Sequence, residues 1–111
     1  MKYKRGDIVW VTFPFSDASS GKVRPALVIS NDTINTTGDY LLMQITTKLR
    51  NDSLSLVISQ TDFKEHPLLK QSELRLHKIF ILHESLITSK ISSVNDLFMA
   101  AMIDKLLLHL S

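Results

Sequence analysis

The segment Lys22-Val23-Arg24-Pro25-Ala26-Leu27-Val28-Ile29-Ser30 sets an arginine one residue ahead of a proline, at the entrance to an apolar run. Proline fixes its own φ and drives the preceding residue to extended backbone. Arg24 is therefore mounted on a stiff strand entrance. A guanidinium is permanently charged and donates in a planar fork. On such a mount it suits a phosphate, or the phosphorane formed when a phosphodiester is cleaved. Taken alone, an Arg-Pro pair favours a plainer reading, a surface arginine before an edge strand.

The elements that would position it are legible from pattern. Residues 7–13 read as a first strand, with Ile8, Val9, Trp10, Val11, Thr12 and Phe13 β-branched or aromatic, and Pro14 ends it. Residues 16–22 form a polar loop of small residues. Residues 25–30 are almost continuously apolar, which predicts a central strand. Residues 31–39 are turn-rich, and residues 40–47 read as a third strand ending Gln44-Ile45-Thr46-Thr47. After a polar connection, residues 54–59 form a fourth strand, and residues 61–64 one helical turn before Pro67. Residues 73–76 and 78–82 read as two short strands or one bent one. Short strands between polar turns suggest a compact barrel or curled sheet. The period then changes. Ser93 and Asp96 make a Ser-x-x-Asp capping signal, and residues 94–110 should form a helix. Its apolar arc is wide, which predicts burial on more than one side, against the barrel and against a partner.

The bulk numbers narrow the function classes. The 111 residues suit one domain, residues 1–111, with 44% hydrophobic and 22% charged residues in an ordinary globular balance. Cysteine is absent, which removes disulfides, thiolate catalysis and Cys-based zinc sites. The net charge of +2 is compatible with a nucleic-acid ligand but requires local clustering of basic residues. Residues 1–5 are basic, but Gly6 and Asp7 follow instead of a long apolar stretch, and no run suits a membrane helix. A cytoplasmic protein without a membrane partner is expected. The four histidines, His66, His77, His83 and His109, stand in no nucleophile or metal spacing. His77 and His83 fit surface or capping roles better than catalysis, and His109 suits a helix C-terminus.

Several segments taken together resemble the MazF/PemK-type toxins. They are Gly6-Asp7-Ile8-Val9-Trp10-Val11, Phe13-Pro14-Phe15, Lys22 to Ser30, Gln44-Ile45-Thr46-Thr47, and Leu74-Arg75-Leu76-His77-Lys78-Ile79-Phe80, followed by the capped helix. The resemblance spans nearly the whole chain. It implies an SH3-like curled β-barrel with a C-terminal helix, β-rich α+β in class, assembled as a homodimer. It also implies a sequence-specific, metal-independent endoribonuclease that needs no cofactor, cleaves single-stranded RNA and is blocked by a cognate antitoxin.

Two catalytic positions carry over by resemblance: the arginine before proline, Arg24, and the threonine closing the third strand, Thr46, with Thr47 as the competing assignment. Metal-free RNA cleavage uses the substrate's 2′-hydroxyl as nucleophile, and the protein must stabilise the extra charge on the non-bridging oxygens. Arg24 and a threonine hydroxyl can both donate to them. An arginine stays protonated, so charge stabilisation suits Arg24 better than a base role. The general base is left unassigned. Substrate contacts are expected from Phe15, Ser19, Ser20 and Lys22 on one loop, from Thr47, Lys48 and Arg50 on another, and from Arg75 on the late strand. Phe15 and Trp10 offer stacking surfaces for bases. Where some family members carry a Gly-Ser-Glu-Gln-type loop, this chain has Asp17-Ala18-Ser19-Ser20-Gly21. Where several carry a late-strand Gln, Arg75 stands; Glu73, the only acidic residue near it, could pair with Arg75 or act in proton transfer. Two other readings stay open: a toxin of the same fold that poisons DNA gyrase by protein binding, and a non-catalytic barrel that binds RNA or antitoxin.

Overall fold

The computed structural model describes residues 2–12 and 22–111. Its elements run β1 (Asp7–Thr12), β2 (Val23–Val28), α1 (Asp32–Asn35), β3 (Asp39–Thr46), β4 (Ser55–Ile58), β5 (Ser72–His83), β6 (Ile87–Ser93) and α2 (Asp96–Leu108). One antiparallel sheet takes the order β4-β5-β3-β2-β1-β6. β2 is central, as its apolar run predicts. The sheet does not close into a barrel by strand pairing. Its edges, β4 and β6, are instead linked through the tight turn at Gln60–Asp62 and the residues after it. Lys64 N–H donates to the Ser93 carbonyl at 2.8 Å, and Asn95 N–H to the Asp62 carbonyl at 2.8 Å.

Strand alternation sorts side chains onto two faces. Val9, Val11, Ala26, Val28, Tyr40, Leu42, Leu82 and Ile87 form one buried cluster. Ile8, Leu27, Met43, Ile45, Leu74 and Leu76 form the other, closed by Phe98, Met99 and Met102 of α2. Among the described residues no helix is long and apolar enough to cross a membrane.

Two expectations are corrected. Residues 87–93, left without an element, form the edge strand β6. The α2 cap is Asn95, not Ser93: the Asn95 side chain accepts from Phe98 N–H at 2.8 Å, while Ser93 ends β6. Within this chain α2 is covered on one face: Leu97, Leu107 and Leu108 are exposed, as is Leu110 just beyond it.

Gly6 ties the two faces together. Its φ of +98° is a region that side chains disfavour, and an added Cβ would stand 3.3 Å from the Val94 carbonyl oxygen. Its N–H donates to Val28 O at 2.8 Å and its carbonyl accepts from Val94 N–H at 2.9 Å. Gly6→Ala should therefore cost about 1–3 kcal/mol, measured as a lower midpoint in urea. Leu27→Ala, which leaves a void between sheet and α2, should cost about 2–5 kcal/mol.

Candidate active site

The β2–β3 ladder ends at the pair Ala26–Gln44. Two residues further along the same two strands stand Arg24 and Thr46, so alternation gives both the face of Ala26 and Gln44. On its other side Arg24 is opposite Val11, which belongs to that same face. The Arg24 side chain is exposed, and no hydrogen bond or ion pair engages it among the described residues.

Thr46 is half-buried, and its Oγ1 accepts from Lys48 N–H at 3.1 Å. That bond fixes the oxygen and leaves the hydroxyl proton to donate. Thr47 is separated from it by the sheet. It lines an apolar groove of about 520 Å³ with Trp10, Pro25, Pro67, Leu68 and Leu69. Of the two threonines, Thr46 is the one that shares a face with Arg24.

A break in the β3–β5 register builds the rest of the site. Met43 pairs with Ile79, yet Ile45 pairs with Leu74, so β5 carries surplus residues opposite Gln44. A bulge of this kind re-aims side chains. Here it brings Arg75, His77 and Lys78 into a polar concavity of about 250 Å³ with Gln44, Thr46 and Arg50. Of the two readings of residues 73–76 and 78–82, two short strands or one bent one, the structure takes the second, and the bend makes the concavity.

Arg75 was expected to touch substrate; its charge is already answered within the fold. The side chain is buried, and Nη1 donates to Asp52 Oδ1 at 2.9 Å, Ser55 Oγ at 2.8 Å and Glu73 Oε2 at 3.2 Å. Nη2 donates to Asp52 Oδ2 at 3.2 Å. Glu73, wholly buried, also accepts from the Ser55 hydroxyl and from Arg50 N–H at 2.9 Å. The network pins the β3–β4 connection, including Asn51 at φ 51°, and so positions Arg50 at the concavity.

The electrostatics follow from these contacts. The Arg75 hydrogen bond, seconded by Ser55, holds the Asp52 carboxyl well below the usual carboxylate range. Burial pushes Glu73 up, but hydrogen bonds from Ser55, Arg50 N–H and Arg75 outweigh it and leave its pKa lowered. The Asp52 hydrogen bond raises Arg75 against the opposing effect of burial.

Residues 4–110 match the family model of PemK-like, MazF-like toxins of type II toxin–antitoxin systems. The chain belongs to this family. No curated protein matches its sequence significantly. Solved structures share the fold at low identity. One is an endoribonuclease in complex with its cognate antitoxin from a mycobacterial species, with 19% identity, TM-score 0.79, and coverage of 97% of this chain and 94% of the other. A MazE–MazF complex from Deinococcus radiodurans gives 18% identity and TM-score 0.79 over 99% and 97%. The Mycobacterium tuberculosis toxin MazF-mt6 gives 13% and 0.71 over 90% and 91%.

Of the positions that the PemK/MazF resemblance implies, Arg24 and Thr46 fall on one face, and Arg75 joins Thr46 at the concavity as a buried residue. Lys22 and Lys48 are exposed. Phe15, Ser19 and Ser20 lie outside the described residues. Gln44 and Lys78 were not anticipated at the site. Their signal, a register break opposite Gln44, is a pairing property that no local pattern displays. Among the described residues no group of three or more His, Asp or Glu side chains is placed to hold a metal ion.

The network makes two predictions about stability. Arg75→Met strands the buried Glu73 carboxylate, and because Ser55 and Arg50 N–H still answer it, the cost should be about 3 kcal/mol in urea unfolding. Glu73 and Asp52 bind protons more weakly folded than unfolded. Their stabilisation is therefore full above the ordinary carboxylate range and lost as pH falls through the lowered folded values. Melting temperature should drop on acidification below about pH 4.5, and less steeply in Glu73→Gln.

Proposed function

We propose that this toxin-family protein is a sequence-specific endoribonuclease that cleaves single-stranded RNA by 2′-hydroxyl attack, without a metal ion or other cofactor. The observation that carries this reading is the contrast between its two strand arginines. Arg75 is buried and neutralised by carboxylates, whereas Arg24 is exposed, with no partner among the described residues, on the face of a threonine whose hydroxyl is free to donate.

A phosphodiester laid across that face presents its non-bridging oxygens to a fork of donors. Arg24 gives up to two hydrogen bonds and Thr46 one, each strengthening as the phosphorane gathers charge. Arg50 and Lys78 supply positive potential from the concavity. Lys22 and Lys48, together with Phe15, Ser19 and Ser20, are assigned to the flanking RNA. Thr47 contacts the strand only from the groove side, and Arg75 is a positioning residue that holds the Arg50 loop. Attack of the 2′-oxygen on phosphorus forms the cyclic phosphate and breaks the bond to the 5′-oxygen. The similarity to solved toxin–antitoxin complexes supports an antitoxin partner for this chain, and the family supports a homodimer acting in the cytoplasm.

Incubation with a long single-stranded RNA in EDTA tests the reading. The expected outcome is discrete cuts with 2′,3′-cyclic phosphate ends. Arg24→Ala and Thr46→Ala should each slow cleavage about 100- to 1,000-fold, and Thr47→Ala less than about tenfold, since it removes no donor to the phosphorane. Intact RNA, chelator-sensitive cutting, or full activity in Arg24→Ala would refute it. Gyrase inhibition beside intact RNA would favour a protein-binding toxin.

A further inference from the structure

Neither Arg24 nor Thr46 can take the proton that the attacking 2′-hydroxyl must lose. A guanidinium is protonated throughout the working pH range, and the threonine hydroxyl serves as a donor. A base is required on the same face.

His77 stands there. It lines the concavity with Gln44, Thr46, Arg50 and Lys78, on the bulged part of β5. Its ring is exposed, and no hydrogen bond engages either nitrogen among the described residues. The other histidines are otherwise placed. His83 Nδ1 accepts from Ser85 N–H at 3.1 Å. His109 Nε2 meets the Ser53 carbonyl at 3.1 Å, and His66 lines the apolar groove across the sheet.

The surroundings of His77 suit a proton acceptor. One side of the residue borders an apolar hollow made by Leu54, Leu76, Ile79 and Leu106, with His109 at its rim. Arg75 and Lys78 on its own strand and Arg50 from the β3–β4 connection are positive; Asp52 from that connection is negative and already paired with Arg75. Desolvation first, then Arg75 and Lys78, press the imidazole below the usual histidine range, against a smaller pull from Asp52. The ring is thus neutral at pH 7 and has a lone pair to offer.

We propose that His77 is the general base, accepting the 2′-hydroxyl proton. This rests on the ribonuclease reading above. In the step, the ribose O–H bond breaks as its proton passes to the imidazole, and the 2′-oxygen bonds to phosphorus. The bond from phosphorus to the 5′-oxygen breaks, and that oxygen takes a proton from water. The imidazolium then returns its proton to the hydroxide, so no water is consumed.

The test follows kcat/KM against pH for wild type, Arg24→Ala, His77→Ala and His77→Gln on single-stranded RNA in EDTA, with thermal melts to show that each variant folds. Wild type should lose about tenfold per pH unit below the imidazole pKa. Both His77 variants should be about 100- to 10,000-fold slower and lack that acid limb, and added imidazole should speed His77→Ala. A substrate with sulfur for the 5′-oxygen needs no proton to leave, so His77→Ala should stay slow on it. Full recovery there would make His77 an acid and overturn the proposal. So would an acid limb retained in folded His77→Gln, or activity within about twofold of wild type. Those results leave the ribonuclease reading standing if Arg24→Ala is inactive. Wild-type protein that cuts no RNA overturns both.

Discussion

A carboxylate removed from water must be met by donors, and Glu73 draws them from three places at once. Arg75 reaches it along β5, Ser55 from β4, and Arg50 N–H from the connection that leaves β3. Desolvating these charges is costly, so the arrangement is poor evidence for extra stability. What it supplies is geometry. It fixes where the β3–β4 connection lies, and that connection begins at Thr46 and carries Arg50. The bulge in β5 serves the same end, because an unbroken ladder would leave Gln44 facing a single residue and no concavity beside it.

Within that frame the arginines divide the work by environment. Arg75 is enclosed, answered by two carboxylates and a hydroxyl, and unable to offer net charge to an incoming anion. Arg24 is held at the β2 entrance by Pro25, exposed and with no partner among the described residues. A free charge on a rigid mount loses little freedom when it meets a phosphate, which is the property that transition-state stabilisation requires. Thr46 complements it through a cheap local device: its oxygen accepts from Lys48 N–H, and its proton remains available to donate.

Much of this was legible before any coordinates. β-Branched runs, Pro14, Pro25 and the turn-formers around Gly38 marked β1 to β4, and the order of those segments carried the family resemblance. The edge strand β6 escaped because Ile-Thr-Ser-Lys-Ile-Ser-Ser has few apolar residues, and its pairing with β1 is interrupted by register shifts. The helix start was misplaced by two residues because Ser93 and Asn95 both suit a cap, and the pairing of Ser93 with Asp7 takes the serine into β6. The candidate site was half visible. Arg24 and Thr46 sit in recognisable local sequence. The Arg75–Asp52 pair joins residues from different strands and loops, so no spacing rule could assign Arg75 to an internal ion pair. Thr46 and Thr47 are indistinguishable as letters; the pleat separates them. The apolar arc of α2 was read correctly as composition, but its outer leucines find no cover within one chain.

The central claim is that Arg24 and Thr46 grip one phosphate from a single face of the sheet. A crystal structure with a single-stranded oligonucleotide carrying 2′-deoxyribose at the scissile position addresses it most directly, since the missing nucleophile leaves the contacts intact. The account predicts the scissile phosphate within hydrogen-bond distance of both the Arg24 guanidinium and the Thr46 hydroxyl. A phosphate seated in the groove of Trp10, Pro25 and Thr47, with Arg24 in solvent, would contradict it.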